Sequence, residues 1–157
     1  MQTLEQIRVL SEDRFLMMYE SLSTHGFGPL DAEVAKLMKF RPQAIRKLPM
    51  AMRAKKAKAL LLAQKNAELA YEFLGTYLLK DHKDLVTGFL DATGVAHENG
   101  MIDDTPGNLP DADKVAAAVK ELDGKFAKDD VTAYLAIAAQ QWSEVKSIEP
   151  LWRSRLA

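Results

Sequence analysis

The chain has no cysteine among its 157 residues. That removes thiol nucleophiles, CxxC redox pairs, thiolate zinc sites, iron–sulfur clusters and disulfide frameworks together. Long apolar runs are also missing. LLLA and YLAIAA are the longest in their neighbourhoods, far short of the ~18 consecutive apolar residues of a membrane-spanning helix. The opening MQTLEQIRVLSEDRF puts acids into the first turns and has no basic start followed by an apolar run. It does not read as a secretory signal, and the expected location is cytoplasmic. No Walker loop, GxGxxG, GxSxG or HExxH pattern occurs, so an enzymatic reading has no motif behind it.

The residues present are those of an ordinary globular protein, 48% hydrophobic and 27% charged. A chain of this length fits one domain, here 1–157, and folding at this mass buries about 69% of the unfolded surface, enough for an independent core.

Almost every apolar stripe has helical period. Leu4, Ile7, Phe15, Met18 and Leu22 share one face, which predicts a helix over about 4–22. Gly26, Gly28 and Pro29 then reverse the chain. Asp31 is positioned to cap a short helix to about Lys39. Pro42 and Pro49 suit the first turns of two further helices, and Asn66 suits the cap of the next. Leu69, Phe73, Leu74 and Tyr77, followed by Leu85, Val86, Phe89 and Leu90, describe a helical hairpin ended by Gly94. Asn99-Gly100 is a strong two-residue turn signal and allows a small β-ribbon over 95–103. Helical stripes resume at Val115, Val119 and Leu122, and again from Val131 through Leu135, Ala138 and Trp142 to Val145. The apolar end, Pro150 to Ala157, is expected to dock on the body or on another subunit. The fold class is therefore all-α, a compact bundle of about six or seven helices built from helical hairpins.

The two hairpins echo one another. Lys83 to Leu90 aligns with Lys128 to Leu135 at an offset of 45, within the length range of two-helix solenoid repeats. A structural duplication and two ordinary amphipathic hairpins sharing a Lys-Asp entry both fit. A duplication would make Phe89 and Tyr134 equivalent, each facing the partner helix of its own hairpin.

Charge is distributed unevenly beneath a net value of −1. Residues 1–35 hold six acids and two bases, 36–65 hold ten bases and no acid, and 66–157 hold sixteen acids and nine bases. Ten cations without an acid repel one another unless something anionic screens them. Nucleic-acid phosphate, an anionic membrane surface and the acidic segments of the same chain all qualify. Within this stretch, residues 33–48 resemble the helix-turn-helix of small bacterial DNA-binding regulators. Ala35 stands at the close crossing and Ile45 at the inward apolar position. The resemblance implies groove or phosphate contacts from Gln43, Ala44, Arg46 and Lys47. It departs at Lys39, where the motif usually has glycine.

The candidate anion or nucleic-acid contacts are Arg41, Gln43, Arg46, Lys47, Arg53, Lys55, Lys56 and Lys58. His25, His82 and His97 have carboxylates nearby but no spacing that puts two ligands on one face, so they read as surface histidines, and no metal or cofactor is assigned. Met17, Met18, Met38, Met50 and Met52 crowd the N-terminal third, as core packing or as an adaptable partner surface. The function expected is that of a non-catalytic binding or adaptor module working through protein contacts or self-association. The alternative is a nucleic-acid-binding protein using residues 33–58.

Overall fold

A computed structural model describes residues 1–24, 28–37 and 47–156. Helix makes up 71% of it, beside one two-stranded ribbon. In chain order the described elements are α1 (Gln2–Val9), α2 (Glu12–Thr24), α3 (Gly28–Leu37), α4 (Met50–Ala63), α5 (Ala67–Asp81), α6 (Lys83–Thr93), β1 (His97–Glu98), β2 (Met101–Ile102), a 3₁₀ turn (Ala112–Lys114), α7 (Val115–Asp123), α8 (Lys128–Gln141) and α9 (Ile148–Ser154). Packing divides the chain into two compact units, Thr3–Tyr77 and Leu78–Ala157.

In the first unit the stripe expected to form one helix forms two. Leu10 is extended at φ −64°, ψ 139°, and the Ser11 hydroxyl accepts from Arg14 N at 3.0 Å. Ser11 followed by Glu12 and Asp13 is a helix start, with a cap and then acids at the positive end of the dipole. The apolar period continues across the break, because Ile7, Phe15, Met18 and Leu22 all reach the core. α2 and α3 both pack on α4, and Phe15 stacks on Phe73 with 5.0 Å between ring centroids. Asn66 caps α5, its Oδ1 accepting from Leu69 N at 3.0 Å. Asp31, expected as a cap, lies in the first turn of a helix that begins at Gly28, and its carboxylate is turned into the unit. The methionines divide: Met18 is fully buried, Met17 and Met52 are exposed, and Met38 lies outside the described residues.

The second unit is built around α8, which is buried at every position from Asp130 to Ala139. A helix apolar on all sides belongs inside a protein rather than at its surface. α9 and α7 pack on it, and α6 packs on α7. α8 ends at Gln141, short of Val145, because the chain leaves the helix at Trp142 with φ −115°, ψ 61°. It restarts as α9, whose Trp152 is fully buried. The C-terminal segment thus docks on its own unit. Arg155 completes the attachment, donating to both Asp123 oxygens at 2.7 Å and to Thr132 Oγ1 at 2.9 Å. These bonds hold the Asp123 carboxyl below its ordinary range.

α6 ends at Gly94, whose φ of +79° is the left-handed conformation that glycine adopts without penalty. The ribbon follows, with His97 opposite Ile102 and Glu98 opposite Met101. Asn99 and Gly100 both have positive φ, 54° and 88°, the geometry of a type I′ turn.

The echo at offset 45 extends to element starts. α5 begins at Ala67 and the 3₁₀ turn at Ala112, α6 at Lys83 and α8 at Lys128. Asn66 and Asp111 are both side-chain caps. Phe89 and Tyr134 are both buried, but they meet each other, edge to face at 5.0 Å.

Candidate interaction surface

The basic segment begins with an exposed Lys36 at the end of α3, returns to the described residues at Lys47 and continues through α4. Pro49 precedes the helix, and its missing N–H costs nothing there. Inside α4 no proline, glycine or β-branched residue interrupts MAMRAKKAKALLLA, and alanine, leucine, lysine and methionine all favour helix. The inward face is Arg53, Ala54, Ala57 and Leu61, the spacing of one helical stripe. The outward face carries Ala51, Met52, Lys55, Ala59 and Ala63, with Lys56 half-exposed beside it.

The lysines and arginines proposed from sequence separate accordingly. Arg53 is turned inward: its Nη2 donates to Asp31 Oδ2 at 3.2 Å, and its guanidinium lies over the Tyr19 ring at 5.5 Å. Tyr19 donates its hydroxyl to the other Asp31 oxygen. Burial, aided by that hydrogen bond, pushes the phenol well above its ordinary range. Lys58 donates from Nζ to Leu10 O at 2.7 Å, satisfying a carbonyl at the end of α1. Both cations are thus engaged inside the unit rather than presented to a partner. Lys55 and Lys47 are exposed, and Lys56 is half-exposed. None of the three makes an ion pair among the described residues. Arg41, Gln43, Arg46, Ala44 and Ile45 lie outside the described residues, as does the turn at Lys39.

Two of the three histidines lie among the described residues. His25 lies outside the described residues. His82 sits between α5 and α6 with Nε2 3.2 Å from the buried Asp130 carboxylate. His97 accepts from Gly100 N through Nδ1 at 3.1 Å and places Nε2 2.7 Å from Asp91. Both ring nitrogens of His97 are thus engaged at the base of the ribbon. Among the described residues no three metal-ligating side chains converge, and no helix is long and apolar enough to cross a membrane. The ion pair between Asp31 and Arg53 is the feature sequence reasoning missed. Its signal was an acid, Asp31, in a short helix just ahead of an acid-free basic run.

No protein-family model, curated protein or solved structure matches this chain.

Proposed function

We propose that the protein is a non-catalytic helical binding module that contacts protein partners through the outward face of α4. One observation carries the reading: α4 engages Arg53 and Lys58 internally, yet leaves Lys55 and Lys56 beside an exposed Met52. Cations clustered on a surface without an acid among them set up a positive potential. That potential favours an anionic partner. Met52, 46% exposed, supplies an adaptable apolar centre, and alanines at 51, 59 and 63 let a second helix approach closely. An apolar centre with a charged rim is the ordinary anatomy of a protein interface, and the complementary ligand is an acidic amphipathic helix.

Nucleic-acid binding through 33–58 is the second reading, favoured by Lys47, an exposed cation within the helix-turn-helix-like stretch. One experiment separates the two. A fluorescent acidic amphipathic peptide and a generic DNA duplex are titrated separately with wild type and with K55E/K56E. The module reading expects peptide binding that the double substitution weakens at least ~tenfold, or ~1.4 kcal/mol, with helix content unchanged. Tighter binding to duplex than to peptide transfers the function to nucleic acid. Binding to neither removes α4 as an interaction face.

A further inference from the structure

We infer that the α4 face takes a second copy of this chain, docked through the β1–β2 ribbon; the inference rests on the module reading above. The ribbon is the counterpart of α4 in charge, and like α4 it exposes a methionine. Cross-strand pairing puts Glu98 and Met101 on one side of the turn. Met101 is 69% exposed. Leu79, exposed itself, lies beside the turn, with its Cδ2 3.1 Å from where a side chain at Gly100 would begin. Around this apolar centre stand Glu98, Asp103 and Asp104, all exposed. The wider sequence repeats the match: residues 84–113 hold seven acids and no lysine or arginine, whereas residues 36–65 hold ten bases and no acid.

The ribbon is also held in one shape. Asn108 accepts from Ala96 N at 2.7 Å and donates to the carbonyls of Ala96 and Asp103. His97 ties Asp91 to Gly100. Hydrogen bonds from Thr105 hold the Asp103 carboxylate in place and keep its pKa below the ordinary range. A surface ordered beforehand loses less conformational entropy on docking.

Both halves of the contact are solvent-exposed on the same chain, so one copy's α4 and another copy's ribbon are free to meet. The contact closes a two-fold dimer when both α4–ribbon pairs form between the same two copies, and otherwise continues as a ring or a chain. Because its rim is made of exposed charges, salt weakens it.

The test is light scattering on the full chain over a concentration series at low and high salt, with K55E/K56E and E98K/D104K as variants. Wild type is expected to gain mass with concentration, to the dimer or beyond, and to return toward monomer in high salt. Each variant alone is expected to lose at least ~tenfold in association. An equal mixture of the two restores it, because each variant keeps the half the other has lost and the two reversed faces are again opposite in charge. A wild type that stays monomeric throughout overturns the inference, as does association indifferent to either charge reversal. If that monomer still binds the acidic peptide, only the self-pairing falls. If it binds no peptide, the module reading falls too.

Discussion

Arg53 Nη2 lies 3.2 Å from Asp31 Oδ2, on the inward side of the helix that turns Lys55 to the surface. The pair fixes the rotation of α4, since a guanidinium drawn to a buried carboxylate allows one face inward and leaves the opposite face to solvent. Both partners are largely withdrawn from water, with side chains 8% and 13% exposed. Removing one strands the other. Asp31→Ala is therefore expected to cost ~3–5 kcal/mol, and the joint replacement Asp31→Leu with Arg53→Met much less. Urea unfolding of the two variants checks the difference. Equal costs would show that the charges do not act as a pair.

Tyr19 predicts an alkaline limit. Its folded-state pKa is raised by burial and then by the hydrogen bond to Asp31, so above pH ~10 the unfolded phenol loses its proton while the folded one keeps it. The unfolded state then binds fewer protons, and stability falls as pH rises. The contribution is present in full below the unfolded value of 10.0. Tyr19→Phe is expected to cost ~1–3 kcal/mol at neutral pH through the lost bond to a charged acceptor, and to flatten the alkaline decline. Thermal midpoints of both proteins from neutral to alkaline pH measure this.

Asp123 sets an acid dependence of opposite sign. Its pKa is depressed, first by the hydrogen bonds from Arg155, so its contribution is present above the ordinary 3.8 and is lost as pH falls through the lower folded value. Asp123→Asn should lower the thermal midpoint at neutral pH and narrow the gap from wild type as pH drops below ~4. A gap that stays constant with pH would mean that the clamp on the C-terminal segment is not ionic.

Phe89 and Tyr134 test the second unit. Phe89 is fully buried and touches Tyr134 at 5.0 Å and Trp142 at 6.4 Å between centroids. Phe89→Ala is expected to cost ~3–5 kcal/mol. Tyr134→Ala should cost a similar amount, and the double variant less than the sum, because the two rings share one contact. Strict additivity in denaturant unfolding would contradict that contact.

Much of this fold is readable in the sequence, because its determinants are local. Asn66, Gly94 and Asn99-Gly100 act on their own neighbours, and each ends up as cap, helix stop or turn. The break at Ser11 was hidden by an apolar stripe that continues from Ile7 to Phe15 with the core on one side. Periodicity reports the buried face but not whether the backbone stays helical between two turns. The surface was harder still. Nothing local distinguishes Arg53 from Lys55: both are cations on one helix, and only Asp31, twenty-two residues away, turns one inward. The offset of 45 correctly paired Phe89 with Tyr134 in burial. That the rings would touch each other is a packing fact that no spacing encodes.

The most direct measurement of the central claim is an amide chemical-shift map of the full chain titrated with the acidic amphipathic peptide. The account predicts shifts concentrated on Met52, Lys55, Lys56 and Ala59, with Arg53, Ala57 and Leu61 changing less because they face the core. Shifts absent from α4, or centred on another element, would contradict it.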